Sequence, residues 1–458
     1  MPVFTSSIEL SDDYPSVEPS LKLNFAQSRS LDSRITFERA SVGTYVGRDG
    51  LIKYAGVNEP RFDHDPETLE SLGLLIEESR TNYLGNSEML ANWGVGVGTD
   101  AFTASSGSQL SANPDGSSPA YHYVPSSTVG FHRFNRQVTV PTLDTNYVVS
   151  LFVKRVTAGS VSNMNRFIEL EVTGNFNANS PGTGQTGTTG GSAVTFDMEN
   201  LVIETQTDNF DGYVGDAKIE PYPNGWYRLS YVFNPGIGSV FTGQVWWGHC
   251  TSIAGDGGGE TGNGNPSFYF WGASIENGPI ISSHIPTPAN SSVTRIYDDA
   301  QIVGANFTNN FNTLEGTFVA ECDRGNDGTE GAGIGAMRAL TNSYFDMIQL
   351  GEFYDNGGMV GRVYIGGTSQ AQVGATHTTG QGVYNRYAFA YKKDSFAGAI
   401  NGVGQGEDTS GNVPTILAKF VFGGYNDDRS SQSLDGHIKY FHYYPQRLTN
   451  AQLQLLTA

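Results

Sequence analysis

The chain has 458 residues, enough for about three domains at roughly 150 residues each. Its 12% aromatic content excludes a disordered polymer, and 58 glycines beside many aromatic and β-branched residues point to an all-β protein. The net charge of −20 repels nucleic-acid backbones and anionic membranes, and no apolar run approaches the ~18 residues that span a bilayer, so neither nucleic acid binding nor membrane insertion is expected.

The first thirty residues are polar and proline-spaced, with one apolar patch at Leu21-Lys22-Leu23-Asn24-Phe25. They read as an extended arm ending in a strand, able to dock on a partner by adding that strand to its sheet. The opening MPVFTSSIEL has no basic region followed by an apolar one, so no secretory leader is expected. Ile35, Phe37, Tyr45 and Val46 fall at strand positions, and Arg48-Asp49-Gly50 is a hairpin signal with Leu51 to Tyr54 as the return strand. Asp63-His64-Asp65-Pro66 reads as a turn, and Leu72 to Ile76 as a short buried strand. Residues 1–82 look too small to hold their own core, so they are expected to pack on the next domain or on symmetry mates.

Residues 83–290 carry a series of strands: Tyr147 to Lys154, Arg166 to Val172, Ala193 to Asp197, Gly225 to Phe233, Gln244 to Gly248 and Ser267 to Glu276. The spacing predicts a two-sheet sandwich or jelly roll. Segments 173–192 and 254–266 are almost pure turn formers, suited to hairpin tips or to ligand-facing loops. Residues 291–313 read as a linker or a swapped edge strand. Residues 314–458 form a last β-sandwich with strands at Glu315 to Cys322, Tyr384 to Lys393, Lys419 to Gly424 and Leu434 to Tyr444, then a short helix capped at Thr449. Cys250 and Cys322 lie in different units, each in strand-like sequence, and are expected as buried free thiols.

Three resemblances follow. The runs Ile35 to Ser41, Asp49 to Ile52, Glu59 to Pro66 and Glu70 to Asn82 resemble a segment near the N-terminus of tailed-phage virion proteins, especially fibre-like proteins of marine and cyanobacterial phages. Gly225 to Arg228, Phe268 to Glu276 and Ile285 to Thr287 resemble the carbohydrate-binding-module-like jelly rolls of phage fibres. Glu315 to Phe318, Asp394 to Gly402, Phe422 to Gly424 and Gly436 to Thr449 resemble the concanavalin A-like lectin/glucanase family in its laminin-G-type form. The resemblances imply a virion component, made in the host cytoplasm and assembled as a homotrimer. Its expected partners are other virion proteins through residues 1–82 and host surface glycans. They do not settle function, because the lectin-like fold hosts lectins, enzymes and structural modules.

Chemistry-bearing residues are sparse. The carboxylate pairs with i,i+2 spacing are Glu169 and Glu171, Asp63 and Asp65, and Glu321 and Asp323. None sits in a longer glucanase-type motif, and a solvated strand face accounts for each as readily as the carboxylate dyad of a glycosidase. No nucleophile elbow, Walker loop or His-x-x-x-His spacing is present. Calcium is the one cofactor the composition suggests, since hard cations take oxygen ligands from flexible loops. The candidate ligands are Asn426, Asp427 and Asp428, with further acidic loops at Asp323, Asn326 and Asp327 and at Asp256 and Glu260. Sugar rings stack on exposed aromatics, for which Trp93, Tyr213, Trp246 and Tyr425 are the candidates, against the core role usual for such residues in sandwiches.

The reading is a fibre-type adhesin that binds host glycans without turnover. A purely structural decoration or connector protein and, third, a polysaccharide depolymerase stand beside it. The division of sequence character predicts that residues 1–82 anchor the chain, that residues 314–458 lie distal to them, and that deleting the former leaves a soluble lectin-like domain.

Overall fold

A computed structural model describes residues 14–88, 92–95, 100–107, 110–141, 145–157, 165–174, 190–208, 213–236, 240–249, 260–324, 334–341, 345–354, 357–374, 382–424 and 433–458. The fold is all-β, with antiparallel sheets and a short helix near the C-terminus. Seven short strands occupy the N-terminal region: β1 (Leu21–Asn24), β2 (Thr36–Glu38), β3 (Gly43–Val46), β4 (Ile52–Ala55), β5 (Phe62–His64), β6 (Ser71–Ile76) and β7 (Arg80–Asn82).

These strands do not form an arm or a body of their own, which corrects the division expected from sequence. The nine-residue strand Gly436–Tyr444 lies inside the C-terminal sandwich next to Glu315–Cys322, and its other edge is covered by two N-terminal strands placed end to end. Its first half pairs with β6, Ile438 opposite Leu74 and Gly436 opposite Ile76. Its second half pairs with β1, Tyr443 opposite Leu21 and Phe441 opposite Leu23. The second sheet of that sandwich is extended by Asp299–Val303 and then by β2, so the stretch read as a linker is also sheet. The physical reason is edge satisfaction. A short strand has unpaired backbone groups until a neighbour accepts them, and an open sandwich edge offers complementary ones. Sequence periodicity marks such strands but carries no information on which distant strand they join.

The side chains follow the same plan. Leu21, Leu23, Phe25, Ile35, Phe37, Leu74 and Ile76 are buried in one core with Phe318, Phe389, Phe420, Phe422 and Phe441. The helix Asn450–Thr457 closes the outer face of this sandwich. Its Thr449 cap accepts from the Gln452 N–H, and the Gln452 side chain accepts from the Thr449 N–H, a reciprocal capping box. Leu453 then reaches an alanine-lined patch made by Ala388, Ala390, Ala397 and Ala399.

The middle unit is the two-sheet sandwich expected. One sheet orders Tyr213–Tyr222, Trp226–Asn234, Tyr147–Arg155, Phe268–Asn277, Tyr121–Val124 and Ala101–Ala104; the other contains Arg133–Val140, Phe241–His249, Phe167–Gly174, Gly190–Asp197 and Val202–Asp208. The strand Trp226–Asn234 departs from the alternating exposure that its sequence suggests, because almost every residue is buried. Leu229, Tyr231 and Phe233 face the sandwich core, while Trp226 on the opposite side packs with Ile52, Phe152 and Trp271. Ile52 belongs to the N-terminal region, so that region covers the outside of this sheet as well. The β3–β4 hairpin makes the contact through Gly50, whose φ is +76° and whose missing Cβ would fall 2.3 Å from Pro223 Cγ. Any side chain there would be strained twice.

Cys322 is a buried free thiol, and burial pushes its pKa up. Cys250 lies outside the described residues.

Candidate functional site

The N-terminal region is held between the two sandwiches by buried charge. Arg61 donates from Nη1 to Glu77 Oε2 at 2.6 Å and from Nη2 to Asp298. Arg39 Nη1 reaches the other Asp298 oxygen at 3.0 Å, and Arg295 Nη1 lies 3.0 Å from Glu77 Oε2. Glu77 also accepts from the Ser283 N–H at 2.8 Å and the Ser283 hydroxyl at 2.7 Å. Asp298 Oδ2 accepts from the Glu77 N–H at 2.9 Å. The five charged side chains are at most 5% exposed. Burial alone would raise the Glu77 pKa, but Arg295 and Arg61 hold it far below the usual carboxylate range. The Arg39 pKa is lowered as well, by burial and by the like charge of Arg61, which for a guanidinium disfavours the charged form. Such a network is costly to dismantle singly, since one deletion leaves buried charge uncompensated.

A second cluster lies beside a small cavity of about 110 Å³ lined by Tyr45, Asp63, Leu75, Glu77, Tyr222 and His437. His437 bridges two carboxylates: Nε2 lies 3.0 Å from Asp63 Oδ2 at the N-terminal strand β5, and Nδ1 lies 3.1 Å from Asp323 Oδ1 just past Glu315–Cys322. Asp63 Oδ1 accepts from the Val46 N–H at 2.6 Å, and Asp323 Oδ2 from the Gly382 N–H at 2.9 Å. Burial opposes the charged imidazole, but Asp323 and Asp63 outweigh it and raise the His437 pKa to about 10. The folded pKa is raised above its ordinary 6.5, so the stabilisation is complete below that value and is lost as pH rises through about 10. The expected result is a fall on the order of 4 kcal/mol in unfolding free energy between those two pH values. His437→Gln is expected to remove most of that slope. Urea unfolding midpoints of both proteins across the range check this, and equal slopes would contradict it.

An open groove of about 1110 Å³ runs along the N-terminal region. Its walls are residues 26–29 after β1, the β3–β4 hairpin and the segment from Phe62 to Ser71, with Asp115 entering from the middle sandwich. Ile52, Phe62 and Leu69 supply apolar floor, and Tyr45 and Tyr54 supply rings. The Tyr54 ring is 43% exposed, yet its hydroxyl is held by Glu88 Oε1 at 2.8 Å and Asp115 Oδ2 at 3.2 Å. Lys53 is paired with Asp49 at 2.7 Å. The sequence signal for this groove was present in the Asp-Gly hairpin with Tyr45 and Tyr54 on its two strands. What sequence reasoning missed was that residues 26–29 and Asp115 come together against it.

The residues singled out from sequence are dispersed. Trp93 is not an exposed platform: it is 5% exposed, its ring centroid lies 4.7 Å from that of Trp247, and its Nε1 donates to the Asn86 carbonyl at 3.2 Å. The polar, glycine-rich context of Trp93 hides that the chain folds over the sandwich end at this point. Trp246 and Trp247 do divide between outside and core, but the Arg133 guanidinium lies 4.2 Å from the Trp246 ring centroid and occupies that face. Tyr213 opens the strand Tyr213–Tyr222 opposite Asn234. The Tyr213 side chain, Tyr425 and the calcium candidates Asn426, Asp427 and Asp428 lie outside the described residues, as do Asn326, Asp327 and Asp256. Among the described residues no group of three or more His, Cys, Asp or Glu is placed to hold a metal ion.

Glu169 and Glu171 line one small pocket with Arg133 and Trp246, whereas the members of the other two pairs have separate partners. Asp63 binds His437, while Asp65 Oδ1 accepts from the Glu67 and Thr68 N–H groups in its own turn. Glu321 pairs with Arg386 at 2.9 Å and Lys439 at 3.3 Å, while Asp323 holds His437. Glu171 pairs with Arg133 at 2.8 Å.

No family model matches the chain, and no curated protein matches it. Three solved structures illustrate the structural likenesses. Domain 4 of AbnA, a GH43 extracellular arabinanase from Geobacillus stearothermophilus in complex with arabinotriose, is 15% identical over 37% of this chain and 77% of its own, with a TM-score of 0.28. The SAP-like pentraxin from Limulus polyphemus is 10% identical over 32% of this chain and 70% of its own, with a TM-score of 0.22. Trypanosoma rangeli sialidase is 10% identical over 92% and 97%, with a TM-score of 0.27. Likenesses at those TM-scores carry no argument about this chain.

Proposed function

We propose that this protein is a virion surface component that binds host glycans without turning them over. The observation that supports it is the open groove with two tyrosine rings, set on a frame locked by buried ion pairs. Sugar recognition needs ring faces and polar side chains held in place beforehand, because each rotamer ordered on binding weakens it. Asp65, Glu171, Asp323 and Glu321 are each tied to a cation or to turn N–H groups, which supports binding over hydrolysis. Assembly as a homotrimer with other virion proteins would multiply weak single-site affinity.

A glycan array probed with the purified oligomer tests the reading. Binding that selects particular glycans is expected; no binding by a confirmed oligomer contradicts it. Reducing-sugar release from a bound polysaccharide would replace it with a depolymerase. The welded joint also suits a load-bearing connector, for which labelling the protein in intact particles is the test: sandwiches buried against the particle shell favour the connector, and sandwiches projecting into solvent favour the adhesin.

A further inference from the structure

The groove carries an unusual charge distribution. The chain has 46 acidic and 26 basic side chains, so cations have an ample choice of partners. Most described arginines have taken one: Arg39, Arg61 and Arg295 in the buried network, Arg133 with Glu171, Arg166 with Asp197 and Arg386 with Glu321. Arg29 and Arg48 differ. Both are exposed, both line the groove, and among the described residues no carboxylate lies within ion-pair distance of either. The two acidic side chains of the groove are already engaged. Asp49 is held by Lys53, and Asp115 accepts from Tyr54 and from the Ser117 N–H and hydroxyl at 2.9 and 2.6 Å.

Two guanidiniums without a carboxylate partner among the described residues, facing one groove beside the tethered Tyr54 ring, have a chemical complement. A guanidinium presents a planar fork of N–H donors that matches a carboxylate or sulfate in two-point contact. The exposed face of a phenol suits the apolar face of a pyranose ring. The groove volume exceeds that usual for a single drug-sized ligand, so more than one sugar ring can be held. We propose that this groove is the site of an anionic oligosaccharide, with a sugar ring against Tyr54 and oxyanions on Arg29 and Arg48. The inference rests on the glycan-binding reading and specifies its ligand. The overall charge of the chain strengthens the argument, since a net −20 opposes non-specific capture of polyanions.

The test is calorimetric titration of the full-length protein with three size-matched probes: a uronic-acid oligosaccharide, a sulfated oligosaccharide and a neutral glucan oligosaccharide. The expected result is binding of at least one acidic probe about tenfold or more tighter than the neutral one, weakening as salt is raised. The doubly substituted protein Arg29→Ala/Arg48→Ala is expected to lose that preference by about tenfold or more at an unchanged melting temperature. Tyr54→Ala should weaken all probes, and Tyr54→Phe should weaken them less, because the ring is kept. The uronate and sulfate arms distinguish which oxyanion the groove prefers. Acidic-probe affinity unchanged in the double variant, or equal affinity for the neutral probe, overturns this inference and leaves glycan binding standing. Failure of every glycan to bind overturns the inference together with the reading beneath it.

Discussion

Glu77→Gln is expected to destabilise the folded protein by about 3–5 kcal/mol. The neutral amide keeps the shape of the side chain and removes its charge. Arg61 and Arg295 lose their shared carboxylate, and Asp298 is then the carboxylate left in contact with Arg39 and Arg61 among buried side chains. The comparison variant is Asp49→Asn, which breaks the half-exposed pair with Lys53 and is expected to cost less than about 1 kcal/mol. Denaturant unfolding of both variants gives the contrast directly. A Glu77→Gln cost no larger than that of Asp49→Asn would show that the network does not hold the joint. The pH dependence has a definite sign as well. The Glu77 pKa lies below its ordinary 4.5, so its contribution is present above that value and is lost as pH falls through the folded one.

Deletion of residues 1–82 is expected to abolish folding of the C-terminal sandwich. The deletion removes β1, β5 and β6 from one of its sheets and β2 from the other. It also removes seven buried core side chains, from Leu21 to Ile76. At about 1.5–3 kcal/mol for each buried side chain, the loss exceeds ~10 kcal/mol, comparable to the whole stability of an ordinary domain. The exposed edge of Gly436–Tyr444 would then offer itself to other chains. Aggregation, or a product without a cooperative unfolding transition, is the expected outcome. A soluble fragment that unfolds cooperatively would restore the separable lectin-like domain suggested by sequence.

Local structure was legible in the sequence to a large extent. The hairpin at Arg48-Asp49-Gly50 forms where its Asp-Gly signal puts it, and Leu74 to Ile76 is buried strand. The Thr449 cap starts the closing helix. Such features depend on neighbours a few residues apart, so composition and period reveal them. The partners did not show. Leu74 meets Ile438, Leu21 meets Tyr443 and Asp63 meets His437 across more than 350 residues, and strand periodicity is the same whichever edge accepts the strand. The same limit applied to the site. Trp93 looked exposed because its immediate sequence is polar, whereas its cover comes from Phe134 and Trp247. Arg29 and Arg48 carried no sequence signal as a pair, and only the fold brings them to one groove.

Hydrogen exchange on the intact chain tests the joint most directly. The amides of Leu74 and Ile76 lie in the strand paired with Gly436–Tyr444, whose other edge pairs with Glu315–Cys322. If the N-terminal region is part of the sandwich, the amides of β6 hydrogen-bonded in the sheet exchange as slowly as those of Phe318 and Phe441 and lose protection together with them as denaturant is raised. Exchange of residues 71–76 at the rate of an open loop, while Phe318 and Phe441 stay protected, would contradict the joint and return the region to the status of a detachable arm.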